Sequence, residues 1–203
     1  MKYNPELGNE IKNLFKELCI ENPIKDISKY NDSDKINIIA GQFENILKTL
    51  GMDMSDDSIS DTPFRVAKMY VNEIFEGLDY ENFPKSTTTK NSYNYNEPLT
   101  VKGIDISSTC EHHFQAIEGK ASITYTPKDR VLGLSKFNRI ARFFSKRPQV
   151  QERLTIQIAE CLKYILDVDI TVKITASHNC VKCRGIEDKN SKTKTKYNTI
   201  KYD

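Results

Sequence analysis

The sequence contains no run approaching the roughly 18 apolar residues that a membrane-spanning helix requires. Its opening residues carry Lys2, Glu6 and Glu10 where a secretory signal would place an apolar core. Both absences predict a soluble protein, with the cytoplasm as its compartment and no membrane partner. Internal repeats, low-complexity tracts and a P-loop are also missing, so nothing marks the chain as a repeat array or a phosphoryl-transfer enzyme. Charge of one sign is not in excess: 30 basic and 28 acidic residues leave +2, which gives no argument for a nucleic-acid partner. Cysteine is modest at five, and without a secretory signal these thiols read as free or metal-binding rather than as a disulfide framework.

What is present fits one domain, or one domain with a helical appendage, in 203 residues. Apolar residues make up 38% of the chain and charged ones 29%, but the apolar ones gather in periodic segments, so the chain is expected to fold. Ile36, Ile39, Phe43, Ile46, Leu47 and Leu50 follow helical spacing between Ser33 and Gly51. Asp61-Thr62-Pro63 predicts a second helix, with a hydroxyl cap before proline at the first helical position, running through Val66, Val71 and Ile74 to Gly77. A third, nearer the start, uses Ile11, Leu14, Phe15 and Leu18, so residues 1–80 read as a helical region.

Beyond Pro84 the period changes to two, in Leu99 to Ser107 and Lys120 to Tyr125. Two helices follow, Ser135 to Phe144 and Gln151 to Leu166, and Ile170 to Cys180 returns to period two. The polar segments 86–96 and 189–203 read as a loop and a tail. This order predicts an α+β domain over residues 81–203, a mostly antiparallel sheet with helices on one face, against which the N-terminal helices form a layer.

Histidine is scarce. All three, His112, His113 and His178, lie close to a cysteine. Cys110-Glu111-His112-His113 sets a thiolate and an imidazole three apart, and His178-Asn179-Cys180 continues the even-numbered apolar face of Ile170, Val172, Ile174 and Ala176. Two zinc sites are compatible with this spacing. Cys110, His113, Cys180 and Cys183 would make a closed structural one; Cys110, His113 and Cys180 alone leave the open position that a catalytic one needs. If the strand runs on, the Cys183 thiol faces away from Cys180, and His112 and His178 remain beside the metal as groups able to move protons near neutral pH.

Two further segments point to a ligand. In Gly133-Leu134-Ser135-Lys136-Phe137-Asn138-Arg139, Ser135 reads as a helix cap, and Lys136 and Arg139 place cations where they oppose the helix dipole. That arrangement suits a bound anion such as phosphate, although a solvated basic face explains it as well. Lys68 and Arg184 are further candidates. Gln151 and Glu152 open the next helix; Glu152 either complements the dipole or accepts the N1–H and exocyclic amine of guanine.

Ser108-Thr-Cys-Glu-His-His-Phe114, Gly133-Leu-Ser-Lys136, Arg147-Pro-Gln-Val-Gln-Glu-Arg-Leu154 and His178-Asn-Cys-Val-Lys-Cys-Arg-Gly185 resemble the signature segments of the GTP cyclohydrolase I family. Asp61 to Tyr70 resembles the family's helical region, so the likeness spans roughly residues 35–192 in order. The resemblance implies a tunnelling fold, in which subunits join their sheets into a barrel, and a homodecamer of two stacked pentamers with sites at subunit interfaces. It implies one Zn²⁺ per subunit on Cys110, His113 and Cys180, and guanine held by Gln151 and Glu152. The triphosphate of GTP would be surrounded by Lys68, Ser135, Lys136, Arg139 and Arg184, with proton transfer by His112 and His178. The implied reaction opens the imidazole ring of GTP by hydrolysis, releases formate and yields 7,8-dihydroneopterin triphosphate, the entry to pterin and folate synthesis. The same fold houses nicotinamide-dependent nitrile reductases, which lack the zinc segment. In two places the chain departs from the family pattern: Cys183 stands where the family uses no ligand, and a basic, polar segment follows Thr195 where relatives carry a further helix.

Overall fold

A computed structural model of the chain describes residues 2–25 and 29–200; Met1 and the last three residues of the expected tail lie outside it. The helices are α1 (Pro5–Glu17), α2 (Asp32–Thr49), α3 (Thr62–Met69), α4 (Leu134–Ser145), α5 (Gln151–Leu166) and α6 (Asn179–Lys182). The strands are β1 (Thr88–Lys90), β2 (Leu99–Cys110), β3 (Ala116–Tyr125), β4 (Arg130–Leu132), β5 (Pro148–Gln149), β6 (Ile170–His178) and β7 (Thr193–Asn198). The main sheet has the order β5-β2-β3-β6-β7 and is antiparallel except where β5 runs parallel to β2.

Alternation decides which face is buried. Ile104, Ile106, Ile117, Ala121, Ile123, Ile170, Val172, Ile174 and Ala176 all point to one side and are buried. Phe137, Ile140, Ala141 and Phe144 of α4 and Leu154, Ile158, Cys161 and Leu162 of α5 cover them. The opposite face carries Thr100, Thr124, Asp105 and Lys120, paired across strands and exposed. The expected α+β arrangement, one mostly antiparallel sheet with helices on one side, is therefore present.

Several local expectations change. The polar tail supplies β7, because Thr193, Thr195 and Tyr197 alternate with Lys194 and Lys196: the first set turns toward α5, and the lysines leave an edge strand poorly suited to further pairing. Part of the 86–96 loop is β1, which pairs with β4. Pro63 follows the first helical residue Thr62, so Thr62 is not the cap of α3, and Asp61 in the cap position makes no side-chain cap bond. This helix does not run unbroken to Gly77. Phe75 N–H donates to the Tyr70 carbonyl five residues back at 3.1 Å, closing a π turn over Tyr70–Ile74 that stacks the two rings 5.3 Å apart.

The helical layer forms only in part. α1 sends Ile11 and Phe15 into the core, with Phe15 and Phe144 ring centroids 5.3 Å apart. α2 and α3 pack mainly on each other, and Ile38, Ile46 and Leu50 of α2 stay exposed.

Candidate active site

One end of the sheet collects the chemistry. β2 ends at Cys110, β5 sets Gln149 opposite it, and β3 sets Ile117 opposite His178 at the end of β6. The five-residue loop between β2 and β3 is held by Cys110 N–H to the Gln115 carbonyl and Phe114 N–H to the Cys110 carbonyl, both 2.8 Å, with Phe114 in the left-handed region at φ 52°. That bend turns His113 back toward the thiol. The donor atoms of Cys110, His113 and Cys180 all lie within 4.8 Å of one another.

Two sulfurs and one imidazole nitrogen at that spacing suit zinc, around which tetrahedral ligands at about 2.0–2.3 Å lie roughly 3.5 Å apart. Only a small contraction separates the observed group from that geometry. Cys183 takes no part, for a different reason than an alternating strand would supply. β6 stops at His178, residues 179–182 form a helical turn, and Cys183 closes it with its N–H on the Asn179 carbonyl at 2.9 Å, its side chain exposed. Burial, then the hydrogen bond to and charge of Cys110, push the Cys180 thiol up from its ordinary value.

His112 Nδ1 lies 3.8 Å from the Cys110 sulfur. His178 Nε2 lies 2.9 Å from Gln151 Oε1. Burial lowers the His178 pKa, and the Glu152 carboxylate opposes that shift. Arg184 Nη1 donates to His113 Nε2 at 3.2 Å, which sets Arg184 at the thiol end. The structure therefore brings Cys110, His112, His113, Gln151, Glu152, His178, Cys180 and Arg184 to one place. Gln151, expected beside guanine, is 1% exposed and has its amide committed inside the chain.

The α4 cations stand elsewhere. Phe137 of α4 stacks near Tyr125, at the far end of β3, 5.5 Å between centroids. The helix then runs about 18 Å back toward β5, so Ser135, Lys136 and Arg139 in its first turns sit at the opposite end of the sheet from Cys110. Ser135 does not cap α4; Gly133 occupies that position without a side-chain bond, and no acid lies in the first turn. The free N–H groups and the two cations still make an anion-compatible terminus. Lys68 is exposed on α3, two residues before Tyr70, whose ring lies 6.2 Å from Phe114.

Residues that sequence reasoning passed over hold the metal loop in place. Arg153 Nη2 pairs with Glu111 and donates to the Pro148 carbonyl at 3.2 Å, while its Nε donates to Gln149 Oε1 at 3.0 Å. Glu111 N–H donates to the Gln149 carbonyl at 3.0 Å. Both partners belong to segments already singled out, Glu111 between Cys110 and His113 and Arg153 in the first turn of α5. Arg153→Met is expected to weaken zinc binding about 10- to 100-fold, as loss of an outer-shell partner does, while the fold remains. Competition against a chromophoric chelator measures it; an unchanged affinity would show that the loop holds its shape without the pair.

Two further histidines and a carboxylate beside three donors of this kind make up a candidate catalytic metal centre. It matches the family model of GTP cyclohydrolase I over residues 39–202. It is 50% identical over 196 residues to the GTP cyclohydrolase 1 of Enterobacter sp. (strain 638), covering 94% of this chain and 88% of that relative. The GTP cyclohydrolase 1 of Erwinia tasmaniensis is 50% identical over 178 residues, 87% of this chain and 80% of that one. The chain belongs to the GTP cyclohydrolase I family, whose substrate is GTP. Among solved structures, the archaeosine synthase QueF-Like in the apo form superposes with a TM-score of 0.40 at 16% identity, over 51% of this chain and 92% of that one. No helix among the described residues is long and apolar enough to cross a membrane.

Proposed function

We propose that the chain hydrolytically opens the imidazole ring of GTP with one zinc ion per subunit, releasing formate and forming 7,8-dihydroneopterin triphosphate for tetrahydrofolate and other pterin synthesis in the cytoplasm. The observation that carries this reading is the convergence of Cys110, His113 and Cys180 with two further histidines at one sheet end. Zinc held by these three residues would supply a Lewis acid that lowers the pKa of water near neutrality.

The chain's own groups do the rest. The Glu152 carboxylate accepts two hydrogen bonds from the guanine N1–H and exocyclic amine, which orients the ring and separates guanine from adenine. His112 and His178 carry protons to and from the purine and the ribose, since an imidazole nitrogen can serve as either acid or base. Lys68, Ser135, Lys136, Arg139 and Arg184 bind the triphosphate, which stays intact, so their contribution is binding and orientation.

The start of α4 lies toward the opposite end of the sheet from Cys110, and the helix itself is about 18 Å long, which favours a site shared between copies over one within a single chain. A neighbouring copy that brings its α4 terminus to the Cys110 end of the next subunit would complete the site. This supports a homo-oligomer, proposed as the decamer of two pentamers whose sheets join into a barrel, with residues 1–80 as its helical region and 81–203 as the catalytic domain.

The test is incubation of the purified chain with GTP while formate and pterin fluorescence are followed. Turnover is expected, abolished by a zinc chelator and restored by zinc. Activity that survives chelation would sink the metal role; GTP bound without formate release would sink the reaction.

A further inference from the structure

Gln151 lies where a guanine contact is expected, yet its side chain faces the protein. It is 1% exposed at the first position of α5. Its Nε2 donates toward the Ile174 carbonyl at 3.3 Å, the Thr193 carbonyl at 3.2 Å and Thr195 Oγ1 at 3.0 Å, so three acceptors on β6 and β7 surround one amide nitrogen. Thr195 Oγ1 is itself 2.7 Å from Thr155 Oγ1, whose hydroxyl donates to the Gln151 carbonyl at 2.7 Å. These bonds fix which way the amide is turned. An amide nitrogen set among acceptors leaves its oxygen pointing the other way, at His178 Nε2, 2.9 Å distant.

We infer that Gln151 is a positioning residue for His178, fixing its ring orientation with the proton on Nε2, and that β7 braces it through Thr195. The reason is one of pairing. Oε1 can only accept, so Nε2 must donate and carry a proton. The opposite tautomer would set two lone pairs against each other in a half-buried site, at the cost of an unmade hydrogen bond. Third-group orientation of a proton-transfer histidine follows the same logic as in the hydrolytic triads, here with a neutral amide in place of a carboxylate. A role for β7 also follows: a strand that looks like a polar tail in sequence fixes the geometry of a catalytic ring on its neighbour.

This inference rests on the proposed role of His178 for its catalytic consequence, but the tautomer can be read without turnover. The chain has only three histidines, so ¹⁵N-histidine labelling gives three ring pairs in a magic-angle-spinning spectrum, with His178 assigned through a His178→Asn variant. In the full-length protein, metal-free and zinc-loaded, His178 is expected to show a protonated Nε2. Gln151→Met should mix the tautomers, and Gln151→Glu, which keeps an acceptor, should retain Nε2–H. Thr195→Val removes the brace without touching the ring; it should loosen the same preference and keeps the test open if Gln151→Met folds poorly.

In GTP turnover, Gln151→Met should lower kcat about 10- to 100-fold with KM within about twofold, whereas a residue reading guanine would raise KM. A bare Nε2 in the unmodified protein overturns the inference, as does a Gln151→Met spectrum identical to it, or a KM effect without a kcat effect. A protein that shows the Nε2–H tautomer but releases no formate from GTP would retain the positioning contact and refute the proposed reaction instead.

Discussion

Cys180→Ala should lose both the bound zinc and essentially all formate release, while Cys183→Ala keeps both. The contrast is large because the two thiols, three residues apart, stand in different surroundings. Cys180 brings a half-buried sulfur within 4.8 Å of the Cys110 and His113 donors, and Cys183 lies exposed at the end of the turn. Removing one of three protein ligands leaves two, too few to hold a catalytic zinc with an open position. A metal acting as a Lewis acid contributes several kcal/mol at the transition state, about a thousandfold or more in rate. Zinc content by mass spectrometry and formate release by coupled assay decide the matter. If Cys183→Ala also sheds its zinc, the ion is a closed four-ligand structural one and the hydrolytic reading fails.

The second large effect concerns stability and involves no substrate. Arg147 is wholly buried, the largest side chain to be so among the described residues. Its Nη1 donates to Tyr80 Oη at 3.2 Å, Asn22 Oδ1 at 3.3 Å and Glu21 at 3.4 Å, and its Nη2 donates to the Gly77 carbonyl. The guanidinium lies about 5 Å from the ring centroids of Tyr80, Phe143 and Phe144, which stabilises a desolvated cation further. Gly77 lets the end of α4 pack against it, since a Cβ there would stand 2.1 Å from the Phe143 carbonyl oxygen.

Arg147→Met leaves the Glu21 carboxylate, largely buried, without its cation, and strands the Gly77 carbonyl. Breaking a buried pair from one side typically costs about 3–5 kcal/mol, because the remaining charge is not resolvated. Urea unfolding at fixed protein concentration should show a loss of that size, and Glu21→Gln on top of Arg147→Met should recover part of it. A loss below about 1 kcal/mol would mean that water reaches the pocket and that the pair behaves as a surface one. Arg147 immediately precedes Pro148 and Gln149, which position Glu111 and Arg153, so the same cation ties the N-terminal segment to the metal loop.

Much of this was legible in the amino-acid order. The period of two in β2, β3 and β6 and the period near 3.6 in α4 and α5 follow from which side chains must leave water, and they fixed the antiparallel sheet and its helical cover. Cys110, His113 and Cys180 were legible for a chemical reason: few residue types bind zinc, and this chain uses them sparingly. β7 escaped because its pattern is written in Thr, Lys and Tyr, where alternation carries little hydrophobic contrast; its signal was β propensity alone. The helical turn after His178 escaped because Asn179 and the residues after it show no period over so short a span, and so the orientation of Cys183 was right in outcome and wrong in cause.

The sequence by itself determined the fold class, the zinc-compatible donors and the family, because each is set by residue type and spacing along the chain. Only the tertiary structure decided which amide faces His178, that Arg153 clamps Glu111, and that Ser135, Lys136 and Arg139 lie a helix length from Cys110. Those are relations between segments far apart in the chain, fixed by how β5 docks beside β2 and β7 beside β6, and no local pattern encodes them.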